Sequence, residues 1–192
     1  MIDKLAKHGH PGAIQFAQPR LKHRDRNDKD KAPSESTDRP RFDFSYSGIK
    51  TAVLRYVELH SLRESIEERR RALSAIEKPG WSDYLSHCDG QVLDLVASFQ
   101  HTMVDDLISK TLAAARAYRA STLLVSGGVA ANSELRQRFE QEAAEQGLRA
   151  YFPSLPLATD NAAMIAAAAY PRFLAGKFAA ADFSAEAGMV LR

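Results

Sequence analysis

Cys88 is the only cysteine in this chain of 192 residues. No disulfide can form within the chain, and a cytosolic setting is the simplest reading. Long apolar runs are missing as well. The longest, Ala162 to Tyr170, is about half of the roughly 20 residues a membrane-spanning helix needs. The first residues, Met1-Ile2-Asp3-Lys4, hold no apolar signal core, which argues against secretion. Charge of one sign is lacking too: 26 Lys and Arg face 24 Asp and Glu, for a formal net charge of +2. A domain built to grip phosphates usually shows a basic excess or a basic face, so this balance permits RNA contact without implying it. Catalytic signatures are equally scarce. There is no Ser/His/Asp arrangement, no CxxC and no Walker-type phosphate loop. His8 and His10 share a polar turn and read as surface, the other histidines are scattered, and nothing nominates a nucleophile.

What is present suffices for one domain with a hydrophobic core: 45% of the residues are hydrophobic. Ile2 to Lys7 reads as the end of a helix stopped by Gly9 or Gly12. Its abrupt start, with no cap before it, suggests the cut end of a longer chain. The charged loop at 18–40 is poor in apolar residues and predicts a solvated or partly disordered segment. Phe42 to Gly48 alternates aromatic with small or polar residues, the pattern of a strand. Ile49 to Leu59 predicts a helix with Ile49, Val53, Tyr56 and Val57 inward. Leu62 to Lys78 predicts an exposed, ion-paired helix (Glu67–Arg71, Glu64–Arg71) within a charged helical insertion at 61–90.

Val92 to Tyr118 gives the longest helix, with Leu95, Phe99, Met103, Leu107, Leu112 and Ala115 as its buried stripe. A strand at Ser121 to Val125, a helix at Ser133 to Gln146, a strand at Leu148 to Phe152, and an Ala-rich helix opened by Thr159-Asp160-Asn161 and ending near Leu174 to Gly176 follow. Helix, strand, helix, strand, helix predicts an α/β fold with a parallel sheet covered by helices.

Three features of this half carry chemistry. At Gly127-Gly128 a strand runs straight into a helix, so a ligand can approach bare backbone and meet the positive end of the helix. A tight turn that needs glycine explains the same spacing. Asn132 opens that helix; its amide can bond a ribose hydroxyl or a base edge, although the spacing alone favours an ordinary N-cap. Asp160 opens the final helix, which is apolar on nearly every side and therefore expected to be buried. A carboxylate there suits a hard or borderline cation, and Thr159 or Asp160 can equally be the cap.

Three segments taken together resemble one family. Asp43-Phe44-Ser45-Tyr46-Ser47-Gly48-Ile49-Lys50-Thr51 is similar to a DFSFSGLKT stretch, Val125 to Asn132 to an AGGVSAN segment, and Ala158 to Ala166 to a CTDNGAMIA segment. All three belong to the universal tRNA N6-adenosine threonylcarbamoyltransferase family, in the same order and spacing. The likeness covers essentially the whole chain apart from the charged helix at 62–78 and the loop after Gln18.

This resemblance implies the C-terminal lobe of the actin, heat-shock-70 and sugar-kinase (ASKHA) fold, a mixed sheet flanked by helices, with residues 1–192 forming a single lobe. It implies transfer of a threonylcarbamoyl group from threonylcarbamoyl-adenylate to N6 of the adenosine beside the anticodon, in tRNAs reading codons that start with A. It also implies a divalent metal, iron or zinc, held by Asp160 and two histidines of an HxxxH motif. Asn132 matches the residue that binds the adenylate, with Gly127 and Gly128 in the adjoining loop. The expected partners are tRNA, an adenine nucleotide and other threonylcarbamoyladenosine-synthesis proteins.

Ala158 and Ala162 stand where the family commonly has Cys and Gly, and neither position carries a polar role. No HxxxH occurs in the chain, so its metal site is expected to be incomplete and the chain alone inactive. A non-catalytic scaffold of the same fold and another actin-like phosphotransferase are the alternatives. The pair Asn132 and Asp160 weighs against the first, and the Thr159 to Ala166 segment against the second.

Overall fold

A computed structural model describes residues 1–17, 42–180, 182 and 184; the charged loop expected at 18–40 lies outside them. Among the described residues, seven α-helices and two β-strands are formed. The helices are α1 (Ile2–Ala6), α2 (Ser47–Leu59), α3 (Arg63–Ser74), α4 (Trp81–Ser86), α5 (Gly90–Ala117), α6 (Ser133–Glu145) and α7 (Ala162–Leu174). The strands are β1 (Thr122–Leu124) and β2 (Arg149–Tyr151).

The two strands pair in parallel, with Leu123 opposite Ala150 and Leu124 opposite Tyr151. Parallel strands need a crossover, and α6 supplies it. Side chains alternate across a strand, so Leu123, Val125, Ala150 and Phe152 face one way and pack on the core. That core is Val104, Ile108 and Leu112 of α5 against Leu135, Phe139 and Ala143 of α6. Phe139 sits at its centre, edge-on to Phe152 with ring centroids 5.8 Å apart. Leu124 and Tyr151 point to the other face and are exposed. Parallel sheets are normally covered on both faces; here the described residues cover one. The sheet is purely parallel, and no antiparallel strand of the expected mixed sheet occurs among the described elements.

The deepest stripe of α5 differs from the one its spacing suggested. Val104, Ile108, Leu112 and Ala115 are buried, as is Ala97, whereas Leu95, Phe99, Met103 and Leu107 are half-buried. The helix is gripped on two sides, by α6 and by α1. The turn after α1 comes so close that a Cβ on Gly9 would lie 2.1 Å from the Leu93 carbonyl oxygen. Buried Ser98 ties the same turn down, donating to His10 O and accepting from Ile14 N–H.

The strand expected at Phe42 to Gly48 does not form. Residues 42–46 are irregular and α2 begins at Ser47. An alternating pattern makes a strand only with a neighbour to pair with. This segment instead contacts the end of α5: Lys110 lies over the Phe44 ring and Phe42 packs edge-on to Tyr118. α2 then buries Ile49, with Val53, Tyr56 and Val57 half-buried as its spacing predicts. In the charged helix the described ion pairs are Arg63–Glu58 and Arg70–Glu67 in place of the expected partners of Arg71.

The larger departure is α7. All of its residues are exposed, among them Ile165 at 64% and Phe173 at 61%. A helix apolar on all sides needs cover on several sides, and the described residues do not provide it. No helix among them is long and apolar enough to cross a membrane.

Candidate functional site

A cleft of about 480 Å³ opens where β1 and β2 end. One wall is the run from Leu124 to Gly127; the other comes from Tyr151 to Pro153, Leu157 to Asp160 and Met164. The first wall bends because Gly127 has φ 92° and ψ 169°, a region essentially closed to residues with a Cβ. The chain then makes a 3-10 turn at Gly128–Ala131 before α6 starts at Ser133. A Cβ placed on Gly128 would meet the Thr159 methyl at 3.9 Å, so the glycine turn and the segment before α7 are near neighbours.

Gly127 and Asp160 therefore meet in one cleft, with Ser126 and Thr159 as further polar lining and Tyr151, Phe152 and Met164 as apolar lining. Asp160 is exposed and does not cap α7. That role falls to Asn161, whose Oδ1 accepts from Met164 N–H at 3.0 Å and whose Nδ2 donates to Thr159 O at 2.9 Å. This corrects the expected cap, and the signal was legible: Asn directly before an apolar helix.

Asn132 is placed differently. Its side chain is not part of the cleft lining. Oδ1 accepts from Leu135 N–H at 2.9 Å, capping α6, and Nδ2 donates to buried Gln100 Oε1 at 2.8 Å. Gln100 in turn donates to Glu134 Oε2 at 2.9 Å. Asp3 of α1 accepts from both the N–H and the hydroxyl of Ser133. The first-turn donors of α6 are thus largely met by protein groups, so its N-terminus does not offer the cleft the free N–H set that a direct strand-to-helix junction implied. The 3-10 turn between Gly127 and α6 is the reason.

The Gln100–Glu134 chain continues into an ionic cluster between α5 and α6. His101 Nδ1 lies 2.8 Å from Glu134 Oε1, and Arg138 pairs with Asp105 at 2.5 Å and Glu142 at 2.9 Å. Burial works against the Arg138 charge, but hydrogen bonds to the two carboxylates outweigh it and raise its pKa above the ordinary guanidinium value. Arg136, which sequence reasoning passed over, donates to Ala130 O in the turn after Gly127 and to Pro153 O in the opposite wall of the cleft; no pattern in the chain marks so distant a contact.

The donor set does not fit a metal on its own. Among the described residues no three His, Cys, Asp or Glu side chains are grouped to hold an ion, and Asp160 is the one such residue lining the cleft. His8 stacks on Trp81, and His10 accepts from Gly12 N–H through Nδ1, both in the turn after α1. Grooves between α3 and α4, one of about 630 Å³, are lined by Arg69 and Cys88. Burial there raises the Cys88 pKa, with nearby Arg69 opposing the rise.

A family model described as "tRNA N6-adenosine threonylcarbamoyltransferase" (TsaD) matches residues 1–167. A protein of that name from Koribacter versatilis is 62% identical over 192 residues, covering 100% of this chain and 50% of its own. Relatives of the same name from Moorella thermoacetica and Kosmotoga olearia are 36% and 32% identical, each covering 96% of this chain and 42% and 48% of their own lengths. The chain spans about half the length of the curated relatives it matches.

Proposed function

Because the chain belongs to the tRNA N6-adenosine threonylcarbamoyltransferase family, we propose that it is the C-terminal lobe of an ASKHA-type transferase and that its cleft holds the adenylate half of the acyl donor. The reaction is transfer of a threonylcarbamoyl group from threonylcarbamoyl-adenylate to N6 of the adenosine beside the anticodon, in tRNAs reading codons that start with A. The C–O bond of the mixed anhydride breaks, a C–N bond forms, AMP leaves and N6 loses a proton. The donor is already activated, so no protein nucleophile is needed; the site must orient the reactants and exclude water.

The observation that carries this reading is the meeting of Gly127 and Asp160 at the ends of two parallel strands. This is the place where α/β folds bind nucleotides. Ser126 and Thr159 offer hydroxyls to phosphate or ribose, and Tyr151 and Met164 offer apolar surface to a base. Asn132 contributes indirectly: with its amide committed to Leu135 and Gln100, it fixes the end of the glycine turn. Asp160 supplies one ligand to a divalent metal, iron or zinc, and the other ligands come from outside the described residues.

The bare face of α7 and the open face of the sheet are the surfaces that the remainder of the enzyme covers. The chain by itself is accordingly inactive, and tRNA, the other threonylcarbamoyladenosine-synthesis proteins and a cytoplasmic location belong to the whole enzyme. Calorimetric titration of the chain with AMP tests the cleft. Binding that Gly127→Val abolishes is the expected result. No binding, or equal binding by Gly127→Val, would remove the nucleotide from this cleft and favour a non-catalytic scaffold.

A further inference from the structure

Building on that nucleotide cleft, we propose that Arg136 is a positioning residue that ties the turn following the cleft's glycine wall to the loop that forms its opposite wall. It projects from the start of α6. Its Nε–H donates to Ala130 O at 2.5 Å, in the 3-10 turn after Gly127, and its Nη2 donates to Pro153 O at 2.6 Å. Pro153 lines the opposite wall. The guanidinium carbon lies 4.9 Å from the centroid of Phe152, and that ring packs edge-on against Phe139 in the core. One planar group therefore ties the glycine turn to the loop that leads to Asp160, and the core holds the ring on which the group rests.

The tie matters because no strand or α-helix holds either wall between the strand ends and the start of α7. The β1–β2 ladder ends at Val125 N–H to Tyr151 O, 2.9 Å. Past that point one wall is the extended run to Gly127, continued by the 3-10 turn that holds Ala130, and the other is an irregular segment with a 3-10 turn at Leu155–Leu157. A ligand held between two loops needs their spacing fixed to within about 0.5 Å. Arginine suits this task because its donors are fixed in a planar fork that reaches two carbonyls at once while the plane stacks on an aromatic ring. A lysine ammonium carries charge but not that fork. Charge and geometry can therefore be separated by substitution.

The test is calorimetric titration of the 192-residue chain with AMP, well below each variant's unfolding midpoint. Wild type is compared with Arg136→Met, Arg136→Lys and Arg138→Met. Arg138 lies on the same helix but pairs with Asp105 and Glu142, so Arg138→Met should bind as wild type does. Both Arg136 variants should bind about tenfold more weakly or worse, since misplacement by an ångström is enough to cost that much. A further variant, Arg136→Ala, should lose binding likewise, and methylguanidine should restore it. Three results would overturn the role while leaving the nucleotide cleft standing: wild-type affinity in Arg136→Met; wild-type affinity in Arg136→Lys with loss only in Arg136→Met, meaning charge alone matters; or no rescue by methylguanidine. Failure of wild type itself to bind AMP would overturn the cleft reading, and this role with it.

Discussion

Replacing Asn132 by alanine separates two views of that residue. If its main work is to contact a ligand, the free chain should barely notice the change. The structure assigns it two internal duties: capping α6 through Leu135 N–H at 2.9 Å and donating to Gln100 at 2.8 Å. Loss of an N-cap costs about 1 kcal/mol, within a range of about 0.5–2. Gln100 is 6% exposed, so its Oε1 would lose a partner in a place water reaches poorly, at about 1–3 kcal/mol. Asn132→Ala should therefore destabilise the chain by about 2–4 kcal/mol. Asn132→Asp keeps an acceptor for Leu135 N–H but sets a carboxylate oxygen against Gln100 Oε1, so it too should be less stable than wild type although the cap is retained. In the double variant with Gln100→Leu the orphaned acceptor is gone, and the two effects should sum to less than their separate values. Urea unfolding followed by circular dichroism reads these variants, with Gln100→Leu alone, against wild type. An Asn132→Ala midpoint indistinguishable from wild type would refute the internal role.

Phe139→Ala empties the centre of the core, where the side chain is 2% exposed; it should cost about 3–5 kcal/mol in the same assay. Gly127→Ala forces a Cβ onto a backbone at φ 92° and should cost about 1–3 kcal/mol, with the cleft rather than the core disturbed. Ile165→Lys on exposed α7 should change stability by less than about 0.5 kcal/mol while raising solubility; a large loss would mean that α7 is covered. Burial raises the Cys88 pKa, so less thiolate is present at a given pH, and alkylation at mildly alkaline pH should be slower than for free cysteine.

Much of this was legible from residue order. The alternation of helix and strand after Val92 gave a parallel pair bridged by α6, with ends within a residue or two of those expected, because apolar runs, the Asn132 cap and Gly147 are local signals. The closeness of Gly127 and Asp160 rests on a topological rule about strand ends rather than on a local pattern. What escaped depended on partners. The aromatic alternation of residues 42–48 made no strand because its contacts are with α5. The stripe on α5 was displaced because two elements press on that helix. α7 was expected to be buried from its composition, yet burial requires cover that these residues do not supply. The Asn132 cap was legible, but its bond to Gln100 and the bonds of Arg136 to the Ala130 and Pro153 carbonyls were hardest to read, since they reach across the fold.

The most direct measurement of the central claim is nucleoside mass spectrometry of tRNA. Unmodified tRNA, threonylcarbamoyl-adenylate and iron are incubated with this chain, with the N-terminal half of the Koribacter relative, and with both together. Threonylcarbamoyladenosine is expected only when both halves are present, and is expected to be lost on Asp160→Ala. Modification by this chain alone would contradict the reading of an incomplete site, and silence with both halves present would contradict the transferase assignment.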